Sequence, residues 1–245
     1  MTLDGTNTWV ISEPGSDAAV VVDPGPEGDG HLHRVVKSVE AAGKRVTTVL
    51  LTHGHDDHSG GARRFAELTG APVRALDPAH RFGDEGLGEG DVVTAPGGLE
   101  IEVVGTPGHT DDSLTFLLPA DGALLTGDTV LGRGTTVIDN LGNYLRSLDR
   151  LRDWSDRTAA RRILPGHGPV LTDPVTAIDF YIDHRRERLT EIRAALAAGD
   201  RTIKEIVARV YADVDRKVWF AAEYSVRAQL AYLGEEGELP PDVRL

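Results

Sequence analysis

Four times in this sequence a short apolar run ends at a turn whose glycine flanks a histidine or an aspartate. TTVLLT (47–52) runs into HGHDDHSGG, LEIEVVG (99–105) into TPGH, GALLTG (122–127) into Asp128, and RRILPG (161–166) into His167. Runs of this kind, rich in β-branched residues and closed by turn residues, read as strands. Side chains delivered by several strand ends converge on one rim of a sheet, where an active site can be assembled on rigid elements. The glycines at 54, 108, 127, 166 and 168 all flank such residues. Without Cβ atoms they permit sharp turns and close approach of backbone to a bound group.

The densest of the four is THGHDDHSGG at 52–61. Alternate residues of an extended segment point the same way, so His53 and His55 can reach one metal ion together. The chain then turns into a helix at Ser59-Gly60-Gly61, which lets Asp57 and His58 face a second position. Imidazole nitrogen and carboxylate oxygen are the ligands zinc takes where sulfur is absent. With His109, Asp128 and His167 they make a seven-residue set for two metals. His31, His33, His80 and His184 sit in helical or polar contexts without clustered carboxylates and read as surface residues.

Further strands are expected at TWVI (8–11), AAVVVD (18–23), PVRA (72–75) and SLTFLL (113–118), with helices over 31–43, 58–70 and 147–156. The rhythm is not a strict βαβ alternation, and strands such as 99–105 and 113–118 look like antiparallel neighbours. That mixture predicts an α/β chain of sheets packed on each other with helices outside. Beyond residue 172 the strand signal stops. One long helix is expected from Thr172 or Asp173 to Gly199, with two more over 202–212 and 217–237. The division is therefore a strand-rich α/β domain over 1–172, which carries all seven metal-ligand candidates, and a helical, winged-helix-like domain over 173–245. Arg185, Arg186, Arg188 and Arg193 read as a solvated helix face beside Glu187 and Glu191. Thr135, Thr136 and Tyr144 read as loop packing, with pocket lining the alternative.

There is no cysteine, which excludes disulfides, thiolate zinc sites and a thiol nucleophile. No G-x-S-x-G elbow is present. No apolar run approaches the ~20 residues that span a bilayer. The N-terminus shows neither a basic n-region nor a long h-region, so the expectation is a cytoplasmic protein with no membrane partner. The net charge of −13 resides entirely in residues 1–132, where 8 Lys and Arg face 21 Asp and Glu. That argues against a broad, sequence-independent grip on nucleic acid.

TNTWVI, VVDPG, THGHDDHSGG, TPGHTDDS, GDT and LPGHGP together resemble the successive signatures of the metallo-β-lactamase superfamily. The resemblance implies a four-layer αββα sandwich with metals at one edge. It places His53, His55 and His109 on a first zinc ion and Asp57, His58 and His167 on a second. Asp128 would bridge the two, and Asp23 would organise the loop. Zinc is the expected metal, with iron or manganese as alternatives. The bridging Asp128 and the lack of cysteine point away from true β-lactamases. LDGTNTWV, GHTDDS, GDTVLGRGTTVI and the helical tail are most similar to the lactamase-beta-2-like group, whose animal member is a single-strand-specific endoribonuclease.

Two metals about 3.5–4 Å apart bring a bridging water's pKa towards ~7, making hydroxide available to attack carbon or phosphorus. Asp57 would orient it, and Asp57 and Asp128 are the expected catalytic carboxylates. Single-stranded RNA is the leading substrate expectation. A thioester, of glyoxalase II-like or acyl-carrier type, is the alternative. A metal-sensing DNA-binding module using the tail is a third reading. The sequence assigns no oligomeric state.

Overall fold

The computed structural model describes residues 5–213 and 215–244, with no account of the Val218 side chain. Its first sheet has four strands in the order β1 (Trp9–Ile11), β2 (Ala18–Val22), β3 (Arg45–Leu50) and β4 (Val73–Arg74). β1 is antiparallel to β2, while β2, β3 and β4 are mutually parallel. The second sheet runs β5 (Val92–Ala95), β6 (Leu99–Gly105), β7 (Leu114–Leu118), β8 (Ala123–Gly127) and β9 (Arg162–Pro165). It is antiparallel except for the β8–β9 pair.

Alternation of side chains along the strands builds the layers. Val20 and Val22 of β2 point inward to meet Ile101, Val103, Phe116 and Leu125 of the other sheet. Ala19 and Val21 point outward beneath α1 (Asp29–Ala41) and the helix at Ala62–Thr69. On the far face, Leu117, Leu124 and Ile163 are covered by α4 (Leu141–Thr158) and α5 (Pro174–Ala197). The expected αββα sandwich is present. β2 and β8 are buried on both faces along their whole length, which is why they read as continuous apolar runs.

Three local expectations differ. The helix expected over 58–70 is two pieces, α2 (Asp56–Ser59) and α3 (Ala62–Thr69), divided at Gly60-Gly61. α4 begins six residues before the expected 147, because Asn140 caps it by accepting from the Asn143 amide at 2.8 Å. β5 has no counterpart among the expected strands. It is a short edge strand with a single fully buried residue, Val93, so it carries little apolar signal.

After α5 come α6 (Ile203–Val210) and α7 (Trp219–Glu235). α6 opens with a capping box between Thr202 and Glu205. The apolar cluster is continuous from Leu117 and Tyr144 through Ile182 and Leu189 to Val226 and Leu233. The tail helices thus share one core with the second sheet's outer layer. Among the described residues, no helix is long and apolar enough to cross a membrane.

Candidate metal centre

Strand direction decides where the ligands meet. β6, β8 and β9 run the same way, so their C-terminal ends share one edge, as do those of the parallel β2 and β3. The two edges are joined where the Leu114 amide donates to the Thr52 carbonyl at 2.7 Å. Asp23, His53, His109, Asp128 and His167 lie just beyond these five ends, and α2 carries Asp57 and His58. All seven residues singled out in the sequence come together. They form three groups able to hold a metal: His53, His55 and His109; Asp57, His58 and His167; and His53, His58 and Asp128.

Hydrogen-bond partners fix which ring nitrogen faces the centre. Nδ1 of His109 lies 2.6 Å from the Val137 carbonyl, and Nδ1 of His167 lies 2.9 Å from the Gly5 carbonyl. A carbonyl only accepts, so both rings carry a proton on Nδ1 and turn Nε2 to the centre, a lone pair whenever the ring is neutral. His58 Nδ1 donates to Asp23 Oδ2 at 2.8 Å. The Thr52 hydroxyl donates to the same oxygen at 2.7 Å, so it accepts from His53 Nδ1 at 3.0 Å. Four imidazoles therefore turn Nε2 inward, while His55 offers Nδ1, 3.0 Å from His53 Nε2 and 3.1 Å from His109 Nε2.

Around His55 that arrangement lacks donors: one proton on His55 cannot satisfy two facing lone pairs. His58 Nε2 and Asp128 Oδ1 are buried without a well-formed hydrogen bond, 3.4 Å apart. Lone pairs pointed at one another cost free energy unless positive charge lies among them, as protons on the rings or as a metal ion. The donor set therefore fits divalent metal.

Asp128 occupies the middle. Its oxygens lie 3.3 Å from His167 Nε2, 3.4 Å from His58 Nε2 and 3.6 Å from His109 Nε2. Asp57 lies 3.2 Å from His167 and accepts from the Thr6 hydroxyl at 3.2 Å. Gly166 makes the close packing possible: a Cβ there would sit 2.6 Å from Asp128 Oδ1 and 2.7 Å from His58 Cε1.

The electrostatics divide the centre in two. Burial, helped by the neighbouring imidazoles, holds His53 well below the ordinary histidine value, and burial likewise lowers His109. Burial also opposes charge on His58, yet Asp23 and Asp128 outweigh it and push that ring up to about 10. Burial opposes charge on His167 too, and there Asp128 and Asp57 prevail, again to about 10. Burial works against the Asp57 and Asp128 carboxylates, but hydrogen bonds and charge from His167 and His58 hold both below the usual carboxylate range. In the metal-free protein, protons on His58 and His167 thus offset the acidic half of the site.

Asp23 proves to be the organising residue. It is buried, adopts φ +51°, and gathers the Thr52 amide, the Thr52 hydroxyl and His58 onto one carboxylate. Aspartate tolerates this left-handed backbone better than most residues.

Other expectations need correction. His80 is not a free surface residue. It closes the helical turn at Pro78–His80 and packs so closely on Gly54 that a Cβ there would lie 2.4 Å from His80 Nε2. No spacing rule links positions 54 and 80, and the glycine itself was the one available signal. His31 bonds the Thr8 hydroxyl at 3.0 Å, and His184 stacks on Phe180. Arg185, read as part of a solvated face, is only 2% exposed because it points under the 131–139 loop. Arg188 and Arg193 do lie towards the surface and pair with Glu191 and Glu238. Thr136 is buried against His109 and Tyr144 is wholly buried.

Comparison with known proteins follows the same lines. Residues 1–167 match the metallo-beta-lactamase superfamily model, and residues 202–238 match the beta-lactamase associated winged helix domain. The chain is 32% identical to the Drosophila melanogaster beta-lactamase-like protein 2 homolog, over 98% of this chain and 85% of that protein. It is 35% identical to an atrochrysone carboxyl ACP thioesterase of Aspergillus fumigatus, over 80% of this chain and 61% of that one. Among solved structures, a metallo-beta-lactamase family protein from Thermus thermophilus superimposes with a TM-score of 0.74 at 24% identity, covering 96% and 95% of the two chains. TTHA1623 in a di-iron-bound form gives 0.55 at 25% identity, over 70% and 92%. Fold, matched motifs and the convergent His and Asp cluster place this chain, a metal-dependent hydrolase, in the metallo-beta-lactamase superfamily and in its lactamase-beta-2-like group.

Proposed function

We propose that the chain hydrolyses an acyl thioester using two metal ions, with zinc the assigned metal. The observation that carries the two-metal reading is the position of Asp128, whose two oxygens reach His58, His109 and His167 from between the donor groups. His53, His55 and His109 would hold one ion, Asp57, His58 and His167 the other, and Asp128 both. Bound metals of this kind supply hydroxide at neutral pH and polarise the substrate's oxygen. The all-N,O donor set suits zinc, and it also suits iron, the metal in the TTHA1623 structure.

The protein's own residues supply the rest. Asp57 is the more exposed of the two carboxylates and is steadied by Thr6, which suits it to orienting the attacking water. The Nδ1 partners Thr52, Asp23, Val137 and Gly5 hold four imidazoles as ligands rather than as proton donors. No side-chain nucleophile is called for.

Thioesters are favoured over polynucleotides on two grounds. The 35% identical relative is a thioesterase. The acidic half of the chain, which carries the whole net charge, also bears most of the site. Single-stranded RNA is the second reading, favoured by the lactamase-beta-2-like membership and the winged-helix match. Zinc-loaded protein should be offered an acyl-CoA, S-lactoylglutathione and single-stranded RNA side by side, with Asp128→Ala as control. Thioester turnover that disappears in the variant supports the proposal. RNA cleavage lost in the variant, without thioester turnover, replaces it with the second reading. Loaded protein that turns over none of them sinks both.

A further inference from the structure

Arg185 is a buried arginine without an acid. Among the described residues no carboxylate pairs with it, its Nε has no hydrogen-bond partner, and it is 2% exposed. Burying a guanidinium is costly, and an apolar side chain of similar volume would commonly stabilise the fold as well or better. Its contacts show what it does instead. One terminal nitrogen donates to the Thr136 carbonyl, and the guanidinium lies 5.4 Å from the Tyr144 ring centre.

Both contacts lead to the metal centre. The Thr136 hydroxyl lies 3.0 Å from His109 Nδ1 and 3.1 Å from the Val137 carbonyl, the group that accepts the His109 proton at 2.6 Å. Tyr144 donates to the carbonyl of Thr129, the neighbour of Asp128, at 2.6 Å. The Tyr144 backbone also fills the space beside Gly108 so closely that a Cβ there would stand 2.4 Å from Tyr144 Cα.

We propose that Arg185 is a positioning residue of the metal centre, pinning the Thr136–Val137 backbone so that His109 presents Nε2 to the site. The inference rests on reading His109 as a ligand. It gives α5, which lies between the two matched family segments, a direct role in the chemistry of the first. A flexible loop cannot hold an imidazole to the tolerance a metal needs, and partners one shell out commonly govern affinity about 10–100-fold.

The test uses the full chain, stripped of metal and titrated with Zn²⁺ against a chromophoric chelator, then with Co²⁺ followed by visible absorption. Wild type should bind two ions. Arg185→Met should bind one of them about 10–100-fold more weakly, with an altered cobalt spectrum and an unchanged far-UV circular dichroism spectrum. Arg185→Lys, which keeps a donor, should recover part of the loss. Should Arg185→Met fail to fold, Arg185→Gln carries the same comparison. Wild-type affinity for both ions with an unaltered cobalt spectrum overturns the proposal, as does loss of both ions together with the helix signal in Arg185→Gln as well as in Arg185→Met. A wild-type chain that binds no metal overturns the metal-centre reading instead, which separates the two failures.

Discussion

Asp23 Oδ2 accepts a hydrogen bond from His58 Nδ1 at 2.8 Å, and both side chains are withdrawn from water. The same carboxylate holds the Thr52 amide and hydroxyl, so one residue sets the tautomers of two imidazoles, His58 directly and His53 through Thr52. Replacing Asp23 by Asn keeps the volume but offers His58 a neutral amide. The expected result is metal affinity lower by about 10–100-fold and stability lower by about 1–3 kcal/mol. Chelator competition and urea unfolding would measure the two effects. Unchanged affinity in a folded Asp23→Asn variant would show that the ring orientations do not depend on this carboxylate.

The pH dependence of the metal-free protein follows from His58 and His167, both pushed to about 10 from an ordinary 6.5. A group whose folded pKa is raised contributes stability that is complete below its unfolded pKa and is lost as pH rises through the folded one. The metal-stripped chain should therefore lose stability progressively between about pH 6.5 and 10. Metal binding at neutral pH should release protons from the same two rings, tightening as pH rises. Thermal melts across that window and calorimetry in buffers of different ionisation enthalpy check the pair of statements. A flat stability profile or proton-neutral binding contradicts them.

Gly166 lies outside the left-handed region of the backbone, so alanine there tests space alone. The new methyl would meet Asp128 Oδ1 and His58 Cε1 at 2.6–2.7 Å, and neither atom is free to retreat. Overpacking of this kind costs about 1–3 kcal/mol. We expect Gly166→Ala to lose bound metal and at least about tenfold in turnover while remaining folded. Full metal occupancy by elemental analysis would contradict the geometry.

His80 and Gly54 form a second steric pair. Gly54→Ala should impair metal binding because the methyl collides with the His80 ring, 2.4 Å from Nε2. Removing that ring should relieve the defect. A Gly54→Ala/His80→Ala double variant should bind metal better than Gly54→Ala alone, with a coupling energy of about 0.5–3 kcal/mol. Additive effects would place the strain elsewhere, the 3.2 Å approach to Asp112 Oδ2 being the next contact.

Seven candidate ligands at strand and turn ends were legible because metal ligands must be chemically particular. His and Asp flanked by glycine, after a run that can only be a buried strand, leave few other readings. The sandwich was legible for the same reason, since residues 18–22, 99–105 and 114–118 carry their burial in their composition. What the tertiary structure decided lies one contact further out. The Val137 and Gly5 carbonyls that orient His109 and His167 belong to backbone, which every residue possesses and no sequence motif marks. Arg185 looked like any arginine on a charged helix, and which way that helix turned it depended on the packing of Leu189, Ile192 and Tyr181 against a core assembled from distant segments. Ligand identity is a property of side chains and so is written locally; ligand orientation is a property of neighbours, and neighbours exist only after the chain has folded.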